Sequence, residues 1–173
     1  VEDVLLKDKR GNEMITVSRL SARYEPISLL EEKITINSIQ LLGFSVQLNK
    51  ETPDSDTNIQ FLLDAFAQKD SVKKEPNLDL RINSVLIRRG NVSYDVQSIP
   101  ETPGKFNPSH IGIQDFEATI SVKALRSDSL NATIRRLAFT EKSGLELKKM
   151  GVRLVADNNH LTINEFTVQF PNT

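Results

Sequence analysis

Cysteine is absent from this 173-residue chain, which removes disulfide staples, thiolate metal ligands and a thiol nucleophile together. That absence suits an oxidising compartment and a cytosol alike. Charge of one sign is missing as well: 22 basic residues against 23 acidic ones leave a net charge of −1. No long-range field is therefore available to recruit nucleic acid. No apolar run approaches the roughly 20 residues that cross a bilayer as a helix, and no signal-peptide pattern opens the chain.

Catalytic signatures are missing too. HExxH, the P-loop, GxSxG and GxGxxG do not occur. Histidine is limited to His110 and His160, each beside a predicted turn, where an imidazole is ordinarily solvated. Asp54, Asp56, Asp64 and Asp70 cluster in sequence without the spacing or central glycine of a calcium loop, and read as a solvated loop and helix face. The basic pairs Arg88-Arg89, Arg135-Arg136 and Lys148-Lys149 have no interleaved aromatics and read as exposed strand positions rather than phosphate contacts. Two glycosylation sequons, at Asn91 and Asn131, are of a kind that polar strands produce by chance. The expectation is a non-enzymatic chain with no catalytic residue, no metal site and no cofactor.

What is present is a hexad of the form apolar, any, apolar, polar, polar, apolar. It reads ITVSRL from Ile15, ITINSI from Ile34, LRINSV from Leu80, IGIQDF from Ile111, LELKKM from Leu145 and LTINEF from Leu161, with a weaker ATIRRL from Ala132. Alternation marks a strand with one buried face. Two polar residues in succession break it, and a β-bulge absorbs the extra residue. A bulge at each polar pair returns the third and sixth positions to one face, so the hexad predicts one bent strand, repeated.

Strands with a gly-tipped turn at Lys9–Asn12 predict a hairpin over residues 1 to 26. Ile27 to Lys33 predicts a short connector helix that tucks Ile27, Leu29 and Leu30 under the sheet. Asn58 to Gln68 predicts an amphipathic helix of about three turns, with Ile59, Leu62, Leu63 and Phe66 at i, i+3, i+4, i+7 and Asp56 or Thr57 as N-cap. Lys69 to Asn77 reads as a charged, mobile linker. The last third predicts an antiparallel meander with turns at 126–128, 142–144 and 157–159. About ten strands are expected in all.

The phase of alternation changes again near Gly43 and Gly90, which mark bulges, bends or short turns. The stretches ITINSIQLLG-FSVQL and LRINSVLIRRGNVSYDV align as an internal duplication, 46 residues out of step and one residue apart in length. The division expected is a single β-rich segment: a first repeat over 1–50, the helix and linker over 51–79, and a second repeat with the meander over 80–173. Val1, Val4 and Leu6 read as the second half of another hexad, so a segment of a longer polypeptide is expected.

In order along the chain, VEDVLLKDKRGNEMITVSRL, ISLLEEK feeding ITINSIQLLGFSVQL, NIQFLLDAF, and LRINSVLIRRGNVSYDV followed by FNPSHI together resemble the AsmA/TamB group of bacterial envelope proteins. TamB-like proteins of Bacteroidota type are the best match, and the resemblance covers essentially the whole chain. It implies a periplasmic rod segment near the N-terminus of an inner-membrane-anchored protein. It also implies a bent β-sheet open along one side, with an apolar groove, and a part in outer-membrane biogenesis and inter-membrane phospholipid transport. The anchor and the family's C-terminal domain are not in this sequence.

The pattern itself supplies an apolar stripe: Ile36, Ile39, Ile82, Val85, Ile113, Phe116, Ile120, Leu147, Met150, Ile163, Phe166 and Val168 are the candidate groove lining, with Ile59, Leu62, Leu63 and Phe66 as a capping helix. The fold expected is mainly β, a repetitive, curved, largely antiparallel sheet forming an open groove or half-barrel. The same pattern also suits the filled core of a closed sandwich. Two partner classes follow: phospholipid acyl chains on the apolar face, or outer-membrane assembly clients whose β-strands dock at an edge. No nucleic-acid partner is expected.

Overall fold

The computed structural model describes residues 1–24, 33–67, 79–125 and 129–171. Eight strands follow the alternating stretches: β1 (Glu2–Lys7), β2 (Glu13–Tyr24), β3 (Lys33–Lys50), β4 (Asp79–Val96), β5 (His110–Leu125), β6 (Ser129–Glu141), β7 (Glu146–Asp157) and β8 (Leu161–Gln169). They form one sheet in chain order. Every neighbouring pair is antiparallel except β3–β4, which is parallel. Among the described residues, strands come within 8 Å (Cα to Cα) only of their lateral neighbours. β1 and β8 therefore do not meet, and the sheet is open. Eight strands replace the expected ten because the chain runs through Gly43 and Gly90 without turning back.

The tight turns are set by short side chains. At the β1–β2 turn the Asp8 carboxylate accepts hydrogen bonds from the amides of Arg10 (2.9 Å) and Asn12 (2.8 Å), while Gly11 takes φ +87°. At the β7–β8 turn Asp157 Oδ1 accepts from the amides of Asn159 and His160, both at 2.8 Å. The one helix among the described residues, α1 (Gln60–Ala67), has eight residues, about two turns rather than three. Asn58 fixes its start by accepting from the Asn49 amide (3.0 Å) and donating to the Gln47 carbonyl (2.9 Å). The expected connector helix at 27–33 falls almost wholly outside the described residues, and the linker at 69–77 and the turn at 126–128 lie outside them.

The duplication is built into the sheet. β3 and β4 lie side by side, and each residue of one pairs with the residue 46 positions on, from Lys33↔Asp79 to Lys50↔Val96. The constant offset corrects the one-residue length difference read from the sequence: Gly43 falls opposite Arg89, and Phe44 opposite Gly90. Parallel neighbours need a crossover connection, which residues 51–78 supply. Asn83 Nδ2 donates to Asn37 Oδ1 at 3.0 Å, a bond between duplicate positions.

Most polar pairs coincide with register shifts. Across Arg135-Arg136, Ile134 to Leu137 spans three steps on β6 against two on β7, from Val152 to Met150. Shifts also fall at Gln114-Asp115, Lys148-Lys149 and Asn164-Glu165. At Ser18-Arg19 none appears, because β3 carries its own extra residue at Gly43 and the pairing stays even from Val17↔Phe44 to Leu20↔Leu41. Left-handed backbone occurs at Asp3, Gly43, Arg89, Asp115 and Glu165, with φ from 51° to 60°, and register shifts accompany it at Arg89, Asp115 and Glu165. Each non-glycine case costs about 1 kcal/mol or more. The return is that the next apolar residue comes back to the same face.

Gly90 serves a different need. Its backbone is not left-handed, but a Cβ there would lie 2.2 Å from two ring carbons of Phe44. The Phe44 ring covers the glycine and meets Phe116 edge-on, with centroids 6.2 Å apart. Gly90→Val is expected to destabilise the sheet by about 3 kcal/mol through overpacking. In a urea-denaturation cycle with Phe44→Ala, the double variant should lose less than the sum of the two single losses; additive losses would contradict the packing described.

Candidate functional site

Lateral partners in a sheet share a face, so the register collects the apolar positions into rungs. One rung runs Ile36–Ile82–Val122–Ala132–Leu154–Ile163 across β3 to β8. The next runs Ile39–Val85–Ile120–Ile134–Val152, and a third Leu41–Ile87–Ala118–Leu137–Met150–Val168. Beyond the bulges, Phe116 pairs with Gly90 beside Phe44, Ile113 pairs with Val92, and Leu147 pairs with Phe139. Phe166 falls in the β8 bulge between Asn164 and Thr167. The groove-lining residues read from the sequence thus occupy a single face.

The opposite face is polar and charge-paired. Arg88 bonds Glu117, Arg136 Nε lies 3.5 Å from the same carboxylate, and Arg153 lies 3.8 Å from Glu165. Two of the three basic pairs therefore supply ion-pair partners at bulges. Thr35, Ser121, Thr133 and Arg153 fall between the apolar rungs. A sheet with one apolar and one polar face normally covers the apolar one with a second layer. Among the described residues no second layer of strands does so.

Exposure across the apolar face is graded. Ala118 and Val152 are 1% and 8% exposed, whereas Leu161 and Phe166 on the edge strand β8 are both at 63%. Helix α1 makes no Cα approach within 8 Å to any strand. Leu63 is exposed, and Lys9 stacks over the Phe61 ring at 5.5 Å from its centroid. The helix thus begins beside the β1–β2 turn, with Ile59 and Leu62 half-buried and Leu63 exposed.

Only one of the two histidines is in the expected solvated state. His160 is exposed at the β7–β8 turn, whereas His110, the first residue of β5, is buried. The two stand at opposite ends of the sheet, since β6 and β7 separate them with alternating direction. His110 Nδ1 lies 3.0 Å from Asp95 Oδ1 and 3.9 Å from Glu101 Oε1, and Nε2 lies 2.7 Å from the Ile99 carbonyl. The hydrogen bonds to Asp95 and to Ile99 hold the imidazole pKa above its ordinary value. Sequence reasoning missed this cluster because Asp95 and His110 meet only through the β4–β5 register.

Comparison with known proteins yields no matching family model and no matching curated protein. Among the described residues no helix is long and apolar enough to cross a membrane.

A second buried ionisable group, Glu141, ends β6. Burial raises its pKa, but hydrogen bonds from the Ser143 hydroxyl, the Ser143 amide (2.8 Å) and the Gly112 amide (3.2 Å) outweigh it, and the carboxyl titrates below its ordinary value. A lowered folded-state pKa contributes stability that is present above the unfolded value, about 4.3, and is lost as pH falls through the folded one. The stability gap between the native chain and Glu141→Gln, measured by urea unfolding, should be full at pH 6 and shrink towards pH 3. A gap independent of pH would contradict the assignment.

Proposed function

We propose that this chain is a non-enzymatic periplasmic segment whose apolar sheet face receives phospholipid acyl chains, as the resemblance to TamB-like envelope proteins implies. The observation that supports this reading most is an open, single-layered sheet with its apolar rungs on one face and ion pairs on the other. Each acyl CH₂ kept out of water is worth about 0.8 kcal/mol, so a chain of ordinary length gains substantially from such a stripe without any polar ligand along it. The bulges keep that stripe continuous across the sheet. In the full-length protein an inner-membrane anchor and further sheet would extend it between membranes.

A second reading rests on β8. Its apolar side chains Leu161, Ile163, Phe166 and Val168 are exposed, and an edge strand offers unpaired backbone for a client β-strand during outer-membrane protein assembly. The two readings use different surfaces. Native mass spectrometry of the chain purified from membranes should show bound phospholipid, lost in Ile120→Asp and Val168→Asp but kept in Thr133→Asp on the polar face, with circular dichroism unchanged. Equal lipid retention in all three variants would refute the acyl-chain reading. A proline in β8 at an amide pointing away from β7, sparing lipid while abolishing capture of a client strand, would favour docking.

A further inference from the structure

A constellation at the end of the sheet, away from the central rungs, has the chemistry of a metal centre. Asp95, next to last in β4, pairs across the ladder with His110 at the start of β5, while Glu101 reaches back from the loop between them. One donor atom from each of the three lies within 4.8 Å of the other two. The His110 side chain is only 6% exposed. Its Nε2 lies 2.7 Å from the Ile99 carbonyl, an acceptor, so this nitrogen carries a proton. That leaves Nδ1 directed at two carboxylates, 3.0 Å from Asp95 Oδ1 and 3.9 Å from Glu101 Oε1. Nδ1 facing two carboxylates calls for a positive centre: a ring proton donated to Asp95 fills that place in the free chain, and a metal ion would displace it.

We propose that Asp95, Glu101 and His110 bind a divalent transition-metal ion of the zinc class. The donor set, one imidazole nitrogen and two carboxylate oxygens, suits such ions. The two separations bracket the edge of about 3.3 Å expected of a tetrahedron with bonds near 2.0 Å. The bond from Nε2 to a backbone carbonyl is the outer partner that orients a metal-ligating imidazole. Glu101, Asn107, Lys142 and Ser143 line an adjoining cavity of about 120 Å³ around His110, which leaves room for a water as fourth ligand. Lys142 Nζ, 3.3 Å from Glu101, occupies the ion's side of the carboxylate on a flexible stem and withdraws when the ion enters. The bound ion ties the β4–β5 loop to the sheet end.

The test is calorimetric titration of the full, EDTA-treated chain with zinc chloride, paired with cobalt(II) absorption. One zinc per chain is expected, with visible cobalt bands. Glu101→Gln, at an exposed position that leaves the fold intact, should weaken zinc by at least about tenfold, the loss that even an outer partner commonly causes. Asp95→Asn should do the same, and His160→Ala should change nothing. Absence of saturable one-to-one uptake would overturn the proposal, as would undiminished zinc affinity in Glu101→Gln or loss of binding in His160→Ala. The cluster would then be a buried imidazolium paired with two carboxylates.

Discussion

One steric constraint governs the rest of this structure: side chains alternate across a strand, so a face stays apolar only while the phase is kept. β3 and β4 each run 18 residues, about three times the usual strand length. A single uncorrected slip would send every later apolar residue to the charged face. The bulges answer this by inserting a residue where two polar side chains stand together, and left-handed backbone accompanies the register shifts at Arg89, Asp115 and Glu165. Bulges also bend strands and increase twist, so the device that keeps phase also curves the surface.

A one-layer sheet draws its stability from lateral neighbours rather than from a facing layer. This explains why the buried apolar residues, from Met14 on β2 to Val152 on β7, lie on strands with a neighbour on each side, and why β8 is exposed along its length. Local opening is therefore expected to begin at the outer strands. The polar face contributes through paired charges at Arg88, Glu117 and Arg136, which neutralise the basic pairs that the bulges place there. The proposed function rests on this face: among the described residues no second layer of strands covers it, and its lack of polar groups supports the proposal of an apolar, flexible ligand.

Much of the sheet was legible in the chain. The hexads located strands because alternation and its interruption are local properties, and Gly11 and Asp157 announced their turns for the same reason. The 46-residue duplication was legible as sequence, but its consequence was not: antiparallel or parallel placement of the copies depends on the crossover, which no local pattern specifies. In the sequence Gly90 marks only a change of phase, whereas in the sheet its smallness makes room for the Phe44 ring from the neighbouring strand. His110 shows the same limit. An imidazole beside a turn looks solvated until a register brings Asp95 across from it and the following loop supplies Glu101 and the Ile99 carbonyl.

The most direct test of the apolar face as an acyl-chain surface is site-specific photo-crosslinking in cells. A photoreactive amino acid at Leu41, Ile87 or Leu154 on the apolar rungs should capture phospholipid. The same group at Gln40, Thr133 or Arg153 on the polar face should not. Lipid captured equally from both faces, or from neither while a protein is captured at β8, would contradict the account.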